Sequence, residues 1–147
     1  MMIEESVLIN ASRDQVWQSF TDLTCWDDWS RTARKVSPES CKMEEGIRFR
    51  FRLRPFVVPV DIMPVIDEIV PFERVVWSGS KFGIASRHEF LFQQAGNGVL
   101  VTSREKLIGL PLVLGGRRFT ERTVRRLTIR MLRELKAACE QGPEQPA

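Results

Sequence analysis

From Lys35 to Gly109 apolar and polar residues alternate with a period of two, and turn-forming residues return about every ten positions. A segment with that pattern is expected to form antiparallel strands, each with one face buried. The stretch "SRHEFLFQQAGNGVLVTSREKL" constrains the fold most. Gly96-Asn97 is a tight-turn dipeptide, and a hairpin centred on it sets Phe92 opposite Val101, Phe90 opposite Ser103 and His88 opposite Glu105 on one face. The other face pairs Leu91 with Thr102, Glu89 with Arg104 and Arg87 with Lys106. A slip of one residue would carry those charges into the interior, so the parity is strongly specified. The phenylalanines point inward, and His88 and Glu105 go with them.

The same parity applies to "IRFRFRLR", residues 47–54. Phe49 and Phe51 share the inner face, which leaves Arg48, Arg50, Arg52 and Arg54 on the convex, solvated side. No aromatic residue interleaves with these arginines on the exposed side, as base stacking would require. Net charge is only +3, from 22 Lys plus Arg against 19 Asp plus Glu, far from the cationic excess of a dedicated nucleic-acid binder. Nucleic acid is therefore not an expected partner, and an anionic membrane surface is the less favoured reading of the arginine row.

Strands are predicted at 5–10, 35–42, 46–54, 57–69, 73–80, 84–94 and 98–108. Pro55, Pro59, Pro64 and Pro71 cluster around the fourth of these seven, and because proline cannot donate to a ladder that strand is expected to be bulged or at an edge. Between the first two strands, "ASRDQVWQSF" opens a helix with Ser12 as N-cap and Gln15 three residues on, a capping box. "TDLTCWDDWS" reads as a second short helix with Trp26 and Trp29 on one face; Asp27 and Asp28 between them are read as a solvated face rather than paired acids. After "GLPLVLGG", a long helix is predicted to about Glu140. Thr120, Val124, Leu127, Met131, Leu135 and Ala138 form its apolar stripe, and Arg118, Arg122, Arg125, Arg126, Arg130 and Arg133 lie opposite, with Ile129 among them. Gly115-Gly116 reads as a flexible hinge before it.

At 147 residues the chain has the size of one ordinary domain, able to bury roughly 70 % of its unfolded surface. We expect a single domain over 1–141 and a flexible tail over 142–147. Cys25, Cys41 and Cys139 are odd in number and lack a CxxC pair, which points to reduced thiols. With a single His, no His-rich metal site is expected, and nothing calls for a cofactor. "MMIEES" lacks the basic-then-apolar order of a signal peptide, so the expected location is cytoplasmic. No oligomeric state can be read.

The order of these elements resembles the helix-grip fold of the START-related and birch-pollen-allergen-like superfamily (SRPBCC), in particular its bacterial polyketide cyclase/dehydrase-like branch. "LINASRDQVWQSFTDLTCWDDWS", "GIRFRFRL", "IDEIVPFERVVWSG", "RHEFLFQQAGNGVLVTSREKLIG" and "MLRELKAACE" carry the match, which spans nearly the whole chain. The resemblance implies an α+β fold in which a seven-stranded curved antiparallel sheet grips the long C-terminal helix around a hydrophobic cavity. The superfamily has no shared catalytic signature, and its members include lipid carriers, receptors, cyclases, dehydratases and co-chaperones, so function has to be argued from the site.

The candidate lining is Trp26, Trp29, Phe49, Phe51, Trp77, His88, Phe90, Phe92, Ser103 and Glu105, faced by Leu127, Met131 and Leu135 of the helix. An imidazole and a carboxylate on an apolar face are costly unless they hydrogen-bond each other or a ligand. His88 and Glu105 thus read as a self-satisfied pair, as anchors for a ligand carbonyl or hydroxyl, or as an acid/base pair for cyclisation or dehydration. Ser103 and Arg117 are accessory candidates. The first expectation is a binder of a small hydrophobic molecule of lipid, polyketide or isoprenoid type. The alternatives are a cyclase/dehydratase using His88 and Glu105, and a co-chaperone-like or anionic-surface interaction module. No GxSxG elbow or phosphate-binding loop is present.

Overall fold

The computed structural model describes residues 1–55 and 57–141, so the expected tail over 142–147 lies outside the described residues. The elements run β1 (Met2–Ile9), α1 (Arg13–Thr21), a single turn at Leu23–Cys25, α2 (Trp26–Trp29), β2 (Arg34–Pro38), β3 (Phe49–Leu53), β4 (Val60–Ile62), β5 (Val65–Val70), β6 (Arg74–Lys81), β7 (Ile84–Ala95), β8 (Gly98–Gly109), a kinked turn at Leu112–Gly116, and α3 (Arg117–Gln141). This is the helix-grip arrangement: a curved antiparallel sheet wraps the long C-terminal helix, and the two short helices follow the first strand.

The β7–β8 hairpin takes the predicted register, with His88 opposite Glu105 and Phe90 opposite Ser103. Gly96 turns it with φ +62° while Asn97 keeps a negative φ, the pattern of a type II′ turn. Glu89 does face Arg104, at 3.8 Å, but it lies closer to Arg74 (3.0 Å), and Arg104 closer to Glu4 (3.1 Å), so the predicted pair is part of a surface network. On β3, Phe49 and Phe51 are buried and Arg48, Arg50 and Arg54 exposed; Arg52 is half-buried and pairs with Asp61 at 2.7 Å.

The predicted fourth strand, 57–69, forms as two. The chain breaks at Met63-Pro64, where no N–H is available to continue the ladder. Its first half, β4, ends a three-stranded sheet of order β2-β3-β4; its second, β5, ends a five-stranded sheet of order β1-β8-β7-β6-β5. Both pieces are edges, as the prolines require, and β5 is bulged between Ile66 and Glu68. The sheets remain stitched together: the Ile66 N–H donates to Ile47 O (2.9 Å) and the Gly46 N–H to Ile66 O (2.7 Å).

The core lies between the concave face and the helices. Phe20 of α1 packs among Trp26, Trp77, Phe90 and Phe92 with ring centroids 4.7–5.9 Å apart. Ser12 caps α1 by accepting from the Gln15 N–H (3.1 Å), but the capping box is only half formed. The Gln15 side-chain amide instead donates to the Cys139 carbonyl (2.8 Å), satisfying an acceptor that the end of α3 would otherwise leave open. Glu140 accepts from the Asn10 N–H (2.8 Å) and Lys136 donates to Leu8 O (2.8 Å), so the C-terminal half of α3 is fastened to the N-terminal segment.

Two expectations about α3 need correction. Its buried line runs through Thr123, Thr128, Leu132, Leu135 and Cys139, turned about one residue from the predicted stripe, while Leu127 and Met131 are only half-buried. Arg125 does not lie on the solvent side; it pairs with Glu5 of β1 and with Glu121 (3.2 Å), and so props the helix against the sheet edge.

Candidate functional site

The half of the interior beneath the start of α3 is not filled. On β7 and β8 the inward residues change from Phe92, Phe90, Val99 and Val101 at one end to Ser86, His88, Ser103 and Glu105 toward the other. Opposite them, α3 presents Thr120, Thr123, Val124 and Thr128 before its larger Leu132 and Leu135. Ser86 on the sheet and the three threonines on the helix are small, and they leave space that the phenylalanine and leucine pairs close. The result is a cavity of about 530 Å³, within the usual roughly 300–1,000 Å³ of small-molecule sites. Phe51, Leu53, Val60, Ile62, Trp77, Ile84, Phe90 and Leu107 form its sheet side, and Val124, Leu127, Met131 and Leu132 its helix side. Pro55, Val58, Lys81 and Phe82 stand at its outer end.

The polar group in this greasy wall is centred on His88. Its ring stacks on Phe90 (centroids 4.2 Å apart, 25° between planes) and meets Trp77 edge-on at 5.4 Å. Nε2 lies 2.6 Å from Ser103 Oγ, and Nδ1 lies 3.6 Å from Glu105 Oε1, beyond hydrogen-bond length. The other carboxylate oxygen, Oε2, accepts from Ser86 Oγ at 2.6 Å. Burial pushes the His88 pKa down, opposed by the attraction of Glu105, which leaves the imidazole neutral at pH 7. In the neutral tautomer with the proton on Nδ1, toward the carboxylate, Nε2 accepts from the Ser103 hydroxyl.

Ser103, His88 and Glu105 stand in the order of a nucleophile, base and acid. The order does not make a nucleophilic triad, because Ser103 is 0 % exposed and its side chain is off the cavity wall. Its hydroxyl orients the imidazole from behind. Both His88 and Glu105 line the cavity, and Nδ1 and Glu105 Oε1 stand 3.6 Å apart, in that tautomer a donor opposite an acceptor.

Of the residues read from the sequence, Phe51, Trp77, His88, Phe90, Glu105, Leu127 and Met131 meet around the cavity. Trp26, Trp29, Phe49, Phe92, Ser103 and Leu135 do not; they pack in the core behind it or beside it. Trp26 is sealed there with its indole N–H donating to Phe20 O (2.8 Å), and the Trp29 indole donates to Ser19 O (3.3 Å). Arg117 is exposed and off the wall, and Asp27 accepts from the Val36 N–H (3.2 Å) at the surface. Sequence reasoning missed Thr32. It is 4 % exposed and lies on the wall, yet its Oγ1 has no hydrogen-bond partner among the described residues, while its backbone N–H donates to Glu134 (3.2 Å). A lone threonine between helix and strand carries no periodic signal, so nothing in the sequence marks it.

Among the described residues no helix is long and apolar enough to cross a membrane. No curated protein matches the chain. Solved structures match its fold throughout. The Zhui aromatase/cyclase from Streptomyces sp. R1128 superposes with a TM-score of 0.83 at 13% identity, over 100% of this chain and 99% of that one. A START superfamily protein from Mycobacterium smegmatis gives 0.77 at 10% identity, over 95% and 97%. The di-domain ARO/CYC BexL from the BE-7585A biosynthetic pathway gives 0.81 at 16% identity, over 97% of this chain and 51% of that one, so this chain spans about half of it. These likenesses establish the helix-grip fold. The profile described as polyketide cyclase / dehydrase and lipid transport matches residues 2–140, nearly the whole chain, and the chain belongs to that family.

Proposed function

We propose that the protein binds a small, largely apolar molecule of lipid, polyketide or isoprenoid type between its sheet and α3. One observation carries this reading: a cavity of about 530 Å³ with apolar walls, containing one imidazole–carboxylate gap. A ligand hydroxyl seated there would accept from His88 Nδ1 and donate to Glu105 Oε1, giving two groups in an apolar wall the partners they lack across 3.6 Å. The three cysteines are free thiols, which suits a reducing compartment such as the cytoplasm.

The neutral state of His88 favours one second reading. A neutral imidazole beside a carboxylate can take a proton near a ligand carbonyl and return it, as cyclisation and dehydration need. The aromatase/cyclase named above gives that chemistry a precedent on this fold.

Binding is tested by native mass spectrometry of protein purified from a lysate and by titration with a fluorescent fatty-acid analogue. Co-purified apolar ligand and saturable uptake of the probe are expected. Protein that carries no ligand and takes up no probe refutes the reading. If binding holds, His88→Ala separates the two roles: an anchor loses affinity, whereas an acid/base residue loses turnover of a polyketide-like substrate with little change in binding.

A further inference from the structure

The outer end of the cavity is ringed by apolar side chains that the fold does not bury. Val57 and Val58 before β4, Phe82 in the β6–β7 turn, and Leu110, Val113 and Leu114 before α3 are 65 to 83% exposed. They come from separate segments brought to one end. Gly83 lies against the Pro111 ring, and Arg126 of α3 donates to Pro55 O (2.6 Å). An apolar cluster of this kind marks an interaction site.

Phe82 sharpens the point. It sits in the left-handed region at φ +53°, followed by Gly83 at +78°, in a two-residue turn where asparagine would be the relaxed choice. An aromatic residue there is both strained and exposed, with the Lys81 ammonium 5.5 Å from its ring centroid.

The charge around this ring is mostly positive: Asp61 lies near Lys81, and Glu121 is taken up by Arg125. Lys81, Arg117, Arg118 and Arg122 have no carboxylate within ion-pair distance among the described residues, and Arg126 spends its contact on a carbonyl. Arg118, Arg122, Arg126 and Arg130 follow one another at four-residue spacing, a like-charge series that weakens a helix. Apolar tips on several protruding turns, backed by unpaired guanidiniums, fit a surface with hydrocarbon beneath and negative charge above.

We propose that this end of the molecule docks on an anionic lipid bilayer, with Val57, Val58, Phe82, Val113 and Leu114 entering the acyl boundary and the arginines at the start of α3 holding the headgroups. The cavity then opens onto the membrane. Docking goes beyond ligand binding and does not depend on it, since it uses the rim and not the interior.

The test is co-sedimentation of the full chain with vesicles of phosphatidylglycerol mixed with phosphatidylcholine, and of phosphatidylcholine alone, at low and high salt. Wild type should bind the anionic vesicles and release in high salt. Each basic residue near such a surface multiplies affinity about fivefold, so Arg118→Gln with Arg122→Gln should weaken binding about 25-fold. Val113→Ser with Leu114→Ser should weaken it about tenfold or more. Phe82→Asn should weaken it while raising the thermal midpoint, which excludes misfolding as the cause. Arg48→Gln with Arg50→Gln, on the convex sheet, should leave it unchanged.

Wild type that ignores anionic vesicles, or a convex pair that matters as much as the helix pair, overturns the proposal. So does binding to soluble polyglutamate without vesicles, which would indicate an acidic protein partner. A dimer in sedimentation velocity that the rim variants abolish would assign the ring to a second copy and also overturn it. Uptake of the fatty-acid probe in free solution is measured in parallel. Probe uptake without vesicle binding refutes docking alone; vesicle binding without uptake refutes the cavity reading alone.

Discussion

Replacing Thr32 by valine should make the ligand-free protein more stable. Thr32 Oγ1 is buried against the cavity with no partner, so folding strips a hydroxyl of water and returns nothing. An unsatisfied group of that kind costs about 1–3 kcal/mol. Valine has nearly the same shape and leaves the backbone N–H bond to Glu134 in place. Allowing for imperfect packing of the new methyl, the expected gain is about 1 kcal/mol, or about 3 °C in thermal midpoint for a domain of this length. The assay is calorimetry and urea unfolding on protein stripped of ligand by refolding from denaturant, with the urea m-value required to stay constant. A midpoint that falls by a similar amount would show that the hydroxyl has a partner in solution, and the account of the cavity's inner end would fail.

The remaining predictions address the polar pair, the space and the core. His88 is the only histidine, so its ring protons titrate without overlap, and its pKa should lie below the ordinary 6.5; a midpoint at or above that value refutes a buried neutral ring. Because the folded-state pKa is lowered, the unfolded chain takes up the proton first as pH falls. The contribution is therefore present above about 6.5 and is lost toward the folded-state pKa, and His88→Asn should flatten that part of a stability–pH profile. Leu127→Trp should fill the cavity and lower affinity for a fatty-acid probe at least about tenfold without lowering the thermal midpoint, since the new ring enters space and not packed core. Phe90→Ala, which removes a ring held between Phe20, Trp77 and His88 at 4.2–4.9 Å, should cost about 3–5 kcal/mol in urea unfolding.

How far the molecule can be read from its sequence follows from how each signal arises. Parity along a strand is set by a period that cannot drift, so the facing of His88 and Glu105 and the burial of Phe49 and Phe51 are legible once one turn is located. A helix stripe is looser, since spacings of three and four admit neighbouring lines. Thr123 and Thr128 count as polar in a pattern search although both are buried, which is why the stripe on α3 is read about one residue off. The break at Met63-Pro64 can be suspected from the prolines, but which sheet each half joins depends on partners distant in the chain. Gln15 looks like half of a local capping box and instead reaches Cys139, a contact with no local signature. The site divides the same way. Its strand residues are legible by parity, while the difference between lining a hole and filling a core depends on the volumes of residues opposite, and that is where Trp26, Phe49 and Phe92 part from Trp77 and Phe90.

The fastening of α3 is uneven. Gln15, Asn10 and Leu8 hold its last turns, Arg125 steadies its middle against Glu5, and the turns before Arg125 span the hollow from a kink at Gly115, where φ is +113°. Those turns are held by apolar contact instead: Leu112, just ahead of the helix, is buried against Ile3 and Leu107, and Val124 packs on them. The C-terminal half closes the aromatic core with Leu132, Leu135 and Cys139, while the N-terminal half roofs the hollow. Filled and vacant interior are thus allotted to opposite ends of one helix.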